Sequence, residues 1–502
     1  MDNANRDTDE NLRINKKVSF LKLFLSFFKV GLIGFGGGSA LIPVIEREIV
    51  QGQKMMSEKD YIKHTVIANI TPGALPVKLG ATCGYQIRGP LGSLISSYSV
   101  MLPGVLLTVL LIALISIMGE TAISYFNYAS IGITAFIVFL LFGYIQKTVK
   151  EYNFKVNLII CLAAFAITGG KEIRDIISQL LNIDRQILGT PLFDISTINL
   201  MIVAFFAIIL YEKLRSKQEF IGMLILCLLY AFSVGKTAQS MNLDFLKPIL
   251  QVIMVLLIIA LFWFRRSQGK GRVKIKLSKK DVAIILVLLL IPVVITLGVQ
   301  IFSDVDGVNE FMGNVAFSTV TSFGGGEAYV SVADGIFVQG ERQYIEPENY
   351  YTKMVPIANA LPGPILIKIA SGIGYVYGLK SVGAAIGWAI ALAAAATALG
   401  VCCALAILVL ILYDNVKDSL FIRNLQLYIL PVVCGMLLST SGAMIYESMK
   451  ITTAEGIPGL LSFPLIILSI AVIRYLHLRF HLHDIILLLL SAGVSLGAFM
   501  II

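Results

Sequence analysis

The chain reads Phe35-Gly36-Gly37-Gly38-Ser39-Ala40 near its start and Phe323-Gly324-Gly325-Gly326-Glu327-Ala328 past its middle. Matching residues follow the first stretch as Val50-Gln51-Gly52, Ile67-Ala68-Asn69, Pro72-Gly73, Lys78 and Gly84-Tyr85. They follow the second as Val338-Gln339-Gly340, Ile357-Ala358-Asn359, Pro362-Gly363, Lys368 and Gly374-Tyr375, at an offset of 288 to 290 residues. Self-similarity at a fixed offset marks an internal repeat. Because glycine triplets and Pro-Gly pairs interrupt helices, each copy is predicted to contain broken helices.

The composition places these breaks in a membrane. The chain is 57% hydrophobic and 14% charged, with a mean hydropathy of +0.84, whereas soluble domains carry about a quarter charged residues. Apolar runs near the length of a membrane span recur to the C-terminus. The sequence therefore predicts an all-α polytopic membrane protein built from two inverted-topology repeats with interrupted transmembrane helices.

The net charge of +9 comes from basic residues that collect in loops, which suits membrane orientation rather than nucleic-acid binding. The six cysteines lie in apolar stretches without CxxC spacing and are interpreted as packed thiols. His477, His481 and His483 alternate with basic residues, which is more typical of a juxtamembrane face than of a metal site. Gly235-Lys236-Thr237 resembles the end of a P-loop, but Tyr230 stands where its first glycine would be. No cofactor, metal or nucleic acid is expected.

The domain plan follows from the runs and charges. It comprises a cytoplasmic tail without a signal peptide, a first repeat, connecting transmembrane segments with a basic cytoplasmic loop at 265–280, and a second repeat: 1–17, 18–211, 212–308 and 309–502. Three connecting spans are an odd number, so the second repeat is expected to begin on the opposite side, and residues 300–310 are acidic without Lys or Arg. Inverted repeats are typical of secondary transporters in the plasma membrane. Several charges fit this topology poorly, namely Lys54, Lys59, Lys63, Lys171 and Arg174.

Broken helices in hydrocarbon need a cavity or buried protein beside them, since every backbone N–H and C=O must find a partner. Each break exposes the N-terminus of a half-helix, which carries a partial positive charge. Such termini suit an anion. A glycine triplet alone is more typical of close helix packing, but its recurrence with Pro-Gly and lysine favours a binding site.

Lys78 and Lys368 each lie six residues after the break proline and ten before the expected helix end, at Arg88 and Gly378. Ten helical residues span about 15 Å, half of a hydrocarbon core. The ammonium groups are therefore expected to face a cavity or a partner. An internal salt bridge to Glu46, Glu48 or Glu327 is the alternative. Asn69 and Asn359 either offer amide donors to the anion or cap the broken helices.

The predicted substrate-binding residues are those of the breaks: Gly36, Gly37, Gly38, Asn69, Pro72, Gly73, Lys78, Gly324, Gly325, Gly326, Asn359, Pro362, Gly363 and Lys368. Glu46, Asp334 and Glu327 are the carboxylates nearest this site along the chain, and each is a candidate for carrying a proton or another coupling ion. Glu46 has an alternative role, capping a helix end beside Arg47.

The pattern F-G-G-G-x-A, then I-A-N-x-x-P-G, G-Y and Gly92 leading to Leu102-Pro103-Gly104 resembles the chromate ion transporter family. The resemblance covers nearly the whole chain apart from 212–308 and implies a long-chain, two-copy member with antiparallel halves. It implies transport of chromate or the similar sulfate dianion, outward in chromate resistance. The first copy departs from the family's Pro-Gly-Pro, which the second keeps as Pro362-Gly363-Pro364, and the middle block holds three spans where one is usual.

Three classes of function remain open. A secondary oxyanion transporter accounts for inversion, breaks and lysines together. A passive anion channel, or a transporter of another small anion, accounts for the breaks and lysines. An intramembrane enzyme would need a nucleophile pair on facing helices, and His64 has no such partner nearby. The oligomeric state is not predicted.

Overall fold

The computed structural model describes residues 18–34, 41–118, 120–151, 153–184, 186–189, 191, 195, 197–211, 216–235, 238, 241, 243, 245–266, 278–303, 305–323, 326–416, 420–454, 456–480, 482 and 484–501, and the regular secondary structure among them is entirely helical. In chain order the helices are α1 (Phe20–Ile33), α2 (Leu41–Glu46), α3 (Glu58–Ile70), α4 (Leu75–Ser116), α5 (Glu120–Lys150), α6 (Phe154–Thr168), α7 (Gly170–Leu181), α8 (Thr197–Tyr211), α9 (Lys217–Val234), α10 (Leu246–Arg266), α11 (Lys279–Phe302), α12 (Val308–Thr321), α13 (Gly326–Ala333), α14 (Pro347–Asn349), α15 (Val355–Ala360), α16 (Ile365–Ser381), α17 (Ala384–Val416), α18 (Leu420–Ala454), α19 (Gly459–Phe480) and α20 (Asp484–Ile501). Turns of π-helix extend α2, α13 and α14, at Arg47–Gly52, Asp334–Val338 and Tyr350–Met354.

Within the described residues, seven helices are long and apolar enough to cross a membrane: α4, α5, α9, α11, α17, α18 and α19. The pair α6 and α7 would add an eighth span, although it is bent by 65°. The expected all-α, multi-pass membrane fold is confirmed. All six cysteines lie buried as free thiols.

The chain folds into two compact units, each assembled from separate segments. The first comprises 1–117, 276–329 and 357–414, and the second comprises 118–275, 330–356 and 415–502. The first unit therefore contains the Pro-Gly break and the lysine of both sequence copies. Within it, α1 and α16 both pack against α4. The close approach of α1 requires glycine at position 31, because a Cβ there would lie only 2.4 Å from the Val100 carbonyl oxygen.

The long helix α4 is two helices joined at a kink. Arg88 and Gly89 have non-helical backbone angles, and Gly89 has a φ of +67°. The kink falls at the predicted helix end, Arg88. In the second copy the half-helix α16 passes the predicted end at Gly378 and continues to Ser381.

In the second unit, α18 is the central helix. It packs against α5, α6 and α7, and its glycines allow the contact: a Cβ on Gly435 would lie 2.5 Å from the Cys161 carbonyl oxygen, and one on Gly442 would lie 3.2 Å from Cβ of Glu172. The charged residues near 171–175, which fitted the predicted topology poorly, belong to α7. Glu172 and Asp175 are buried there against neighbouring helices.

Candidate functional site

The two Pro-Gly breaks have the same backbone conformation. Gly73 has a φ of +97° and Gly363 a φ of +96°, in the left-handed region where glycine is favoured. The residue after each glycine is extended, with φ −70° and ψ 114° at Ala74 and φ −68° and ψ 115° at Pro364. A half-helix begins at the next residue in both copies. The missing proline at position 74 therefore leaves the turn unchanged.

The two lysines lie at equivalent places and make equivalent hydrogen bonds. Lys78 is 2% exposed, and its Nζ donates to the carbonyl oxygen of Thr71 at 2.5 Å. Lys368 is 1% exposed, and its Nζ donates to the carbonyl oxygen of Leu361 at 2.5 Å. Each acceptor directly follows the helix that precedes the break. Each ammonium therefore ties the two halves of its broken helix together.

Neither lysine forms an ion pair with a carboxylate among the described residues, and Glu48 is instead paired with Lys29 at 2.7 Å. An ammonium has three N–H donors, and only one per lysine is used by the bond across the break. Neither Nζ has a second hydrogen-bond partner among the described residues, which leaves two buried N–H donors per lysine.

The copies exchange backbone hydrogen bonds at their breaks. Gly73 N–H donates to the Ser322 carbonyl oxygen at 2.7 Å, and Gly363 N–H donates to the Gly34 carbonyl oxygen at 2.9 Å. Gly34 and Ser322 end α1 and α12 and stand in equivalent positions, directly before the two Phe-Gly-Gly-Gly motifs. Each Pro-Gly turn is therefore held by the chain that enters the glycine triplet of the other copy.

The half-helices α4 and α16 begin without side-chain caps. Their first-turn N–H groups have no intrahelical partner, and the helix dipole adds partial positive charge there. Each copy lacks one of these N–H groups, because Pro76 lies in the first turn of α4 and Pro364 is the N-cap of α16. Buried uncapped helix starts beside two ammonium groups make an environment that attracts anions.

Close approach at the breaks depends on small residues from other helices. A Cβ on Gly104 would lie 2.6 Å from the Pro362 carbonyl oxygen, and one on Gly73 would lie 2.4 Å from Cβ of Cys402. Gly326 packs against the start of α16, since its Cβ would lie 2.9 Å from Cβ of Ile365. The other predicted triplet glycines lie outside the described residues: Gly36, Gly37, Gly38, Gly324 and Gly325.

The two asparagines differ in their surroundings. Asn69 lies exposed on α3, and Asn359 is half-buried on α15. Sequence reasoning missed Ser322, which is 1% exposed and whose hydroxyl has no hydrogen-bond partner in the structure. Residue type could not have identified Ser322, because the equivalent residue in the first copy is Gly34. Only its position directly before the Phe-Gly-Gly-Gly motif is shared by the two copies.

The three candidate coupling carboxylates do not share one environment. Glu46 ends α2, half-buried, and forms no ion pair with a described residue. Its repeat counterpart Asp334 is buried and accepts hydrogen bonds from the Tyr351 hydroxyl and from Gln339 Nε2, the latter at 2.9 Å. The side chain of Glu327 lies outside the described residues.

Comparison with known proteins places this arrangement in context. The profile of the family described as "Chromate transporter" matches residues 21–232 and 310–497. The chain is 28% identical to the uncharacterized transporter YwrB of Bacillus subtilis (strain 168), over 27% of this chain and 71% of that protein. It is 33% identical to a probable chromate transport protein of Synechococcus elongatus, over 21% and 27% of the two chains.

A chromate transport protein of Pseudomonas aeruginosa is 32% identical, over 18% of this chain and 22% of its own length. The similarity to these last two relatives thus spans under a third of their length. No solved structure matches the chain.

Proposed function

This chain belongs to the chromate transporter family, and on that premise we propose that it is a secondary transporter of a tetrahedral oxyanion. Chromate is the favoured substrate, and sulfate is the closest chemical alternative. The two sequence copies work as inverted halves in alternating access, and the anion is held where the breaks of both copies meet in the first compact unit. The N-terminal tail is cytoplasmic in this proposal.

The observation that carries the proposal is the exchange of hydrogen bonds between the breaks, Gly73 to Ser322 and Gly363 to Gly34. It joins the two Pro-Gly turns, and the lysine that follows each one, within a single unit. A site assembled from equivalent parts of two copies suits a ligand with equivalent faces, and a tetrahedral dianion has them.

Charge balance supports the assignment of two lysines to one dianion. Bringing an ion out of water costs several kcal/mol per charge. A helix N-terminus offsets only about 0.3–2 kcal/mol, so helix ends orient the anion but do not neutralise it. The ammonium groups of Lys78 and Lys368 supply the two missing charges, and each has two N–H donors left for oxygen atoms of the substrate.

The substrate is tested by the thermal stability of the purified protein in chromate, sulfate, molybdate and phosphate. A ligand that binds only the folded state raises the melting temperature. We expect the divalent tetrahedral anions to stabilise the protein and a monovalent planar anion, nitrate, to have no effect. Equal stabilisation by nitrate would argue against a site built for a dianion.

A passive anion channel is the second candidate, because breaks and lysines alone suit a pore as well. The two are separated in proteoliposomes by the direction of flux. A transporter driven by a second gradient accumulates the anion beyond its electrochemical equilibrium, whereas a channel only brings the anion to that equilibrium. Accumulation that never exceeds equilibrium under any imposed gradient would favour the channel.

A further inference from the structure

The second compact unit contains a polar cavity that the proposed anion site does not use. Its volume is about 200 Å³, and it is lined by the start of α7, the end of α18 and the segment around Tyr351. Glu172, Asp175 and Glu447 line it and are 5%, 4% and 5% exposed. Acidic side chains so deeply buried in a membrane protein need partners or protons.

Two of these carboxylates have cationic partners. Asp175 is paired with Arg174 at 3.0 Å, and Glu447 is paired with Lys450 at 2.9 Å. Both ion pairs are internally neutral.

Glu172 is different. Its Oε2 is buried and has no hydrogen-bond partner, and no described residue forms an ion pair with it. The side chain is packed in place by α18, where a Cβ on Gly442 would lie 3.2 Å from Cβ of Glu172. The carboxyl group is thus fixed at the wall of the cavity with one oxygen unused.

Asp334 provides a second charge behind the same wall. Tyr351 and Gln339 both line the cavity, and both donate hydrogen bonds to the Asp334 carboxylate. Because two neutral donors stabilise its charged form, Asp334 is the better anion of the two and Glu172 the better proton acceptor.

The charges around the cavity do not balance. Among the residues that the structure describes around it, the carboxylates number four, at Glu172, Asp175, Asp334 and Glu447, and the basic groups number three, at Lys171, Arg174 and Lys450. The remaining polar groups that face the cavity, Tyr351, Tyr446 and Gln339, are neutral hydroxyls and an amide. Within this described set, the carboxylates exceed the basic groups by one.

We propose that this cavity is a proton-binding site, in which the carboxyl group of Glu172 carries the proton and Asp334 and Lys171 are its charged neighbours. A proton is preferred to a metal cation because, among the described residues, no three acidic, histidine or cysteine side chains converge closely enough to hold a metal ion. If the chain is the transporter proposed above, on which this last step rests, the proton is its coupling ion.

The first test needs no transport substrate. Infrared difference spectra of the purified full-length protein, recorded between acidic and alkaline buffer, detect the C=O stretch of a protonated carboxyl group and its shift in D2O. Because exposed carboxyl groups also titrate, the diagnostic component is the one at the higher frequency of a buried carboxyl group without a hydrogen bond, which we expect in the wild type and not in Glu172→Gln. The matched control is Glu151→Gln, which removes the same charge from an exposed position of the same unit and should keep the band.

Persistence of this high-frequency component in Glu172→Gln, or its absence from the wild type at every pH tested, would overturn the proposal. If Glu172→Gln does not fold, Glu172→Asp keeps the carboxyl group and should show the band at a changed frequency. A spectrum of Glu172→Asp identical to that of the wild type would also overturn it.

The second test addresses coupling in proteoliposomes that contain a pH-sensitive dye. Chromate influx by the wild type should respond to an imposed pH gradient, and influx by Glu172→Gln should not, although Glu172→Gln is still stabilised by chromate as the wild type is. Continued response in Glu172→Gln would contradict coupling through this residue. If the wild type moves no chromate at all, the proposed function fails, and the infrared result still decides the proton site.

Discussion

Replacing Gly73 by alanine tests the geometry of the first break, because two separate penalties meet at this residue. Its φ of +97° is unfavourable for an L-residue by about 1–2 kcal/mol. The new Cβ would also lie 2.4 Å from Cβ of Cys402, and overpacking of a buried site costs about 1–3 kcal/mol. We therefore expect Gly73→Ala to lower the free energy of unfolding by about 2–5 kcal/mol.

Gly89→Ala is the matched control. Gly89 also has a positive φ, +67°, but nothing lies within 4 Å of its Cβ position, so only the backbone penalty of about 1–2 kcal/mol applies. Gly363→Ala should fall between the two, since its nearest atom is Cα of Gly104 at 3.1 Å. Melting temperatures of the three variants in one detergent measure the order. A Gly73→Ala variant that is no less stable than Gly89→Ala would contradict the close contact between Gly73 and Cys402.

Two further predictions concern single contacts, and a third concerns the membrane topology. Ser322→Ala should leave stability unchanged or slightly raised, since its hydroxyl has no partner to lose, and a clear fall in melting temperature would show a missed contact. Tyr351→Phe removes a donor to a buried carboxylate and should cost about 1–3 kcal/mol, whereas Tyr350→Phe removes a donor to a backbone carbonyl and should cost about 0.5–1.5. Equal melting temperatures would contradict this difference. Single cysteines placed near Asp306 and within 265–280 should label oppositely with an impermeant maleimide in intact cells, and equal labelling would exclude the inverted topology.

Much of the geometry at the two breaks could be predicted, because the residue types found there have restricted conformations or environments. Proline and glycine at 72–73 and 362–363 predicted the breaks, since few other residues end a hydrophobic helix so sharply. A lysine within an apolar helix predicted a buried ammonium group. Repetition turned each of these weak signals into a strong one.

The exchanged hydrogen bonds could not be predicted, because their acceptors are backbone carbonyls. Gly34 and Ser322 share a position in the repeat but no chemical feature of their side chains, so their residue types do not predict the hydrogen bond. The hydrogen-bond partner of each lysine could not be predicted for the same reason. The acceptors are the backbone carbonyl oxygens of residues 71 and 361, which would be present whatever side chain stood at these positions.

The acidic cavity lay beyond sequence reasoning for a different reason. Glu172 has no counterpart in the repeat and sits among charges that read as a loop. The packing of α7 against α18 and its other neighbouring helices buries it, and the sequence does not show this packing. Glu46 and Asp334 show the opposite difficulty, because equivalent positions in the two copies acquire unequal surroundings once the chain has folded.

The central claim is that Lys78 and Lys368 together bind one dianion. Its direct measurement is the chromate affinity of Lys78→Met, Lys368→Met and the double variant, each shown to be folded by size-exclusion chromatography. Losing one partner of a buried charge pair costs about 2 kcal/mol or more, roughly 30-fold in affinity, and Lys→Arg at either position should be partly tolerated because the charge is kept. The double variant should lose less than the sum of the single losses, since both residues contact one ligand. A well-folded double variant that binds chromate with wild-type affinity would contradict the account.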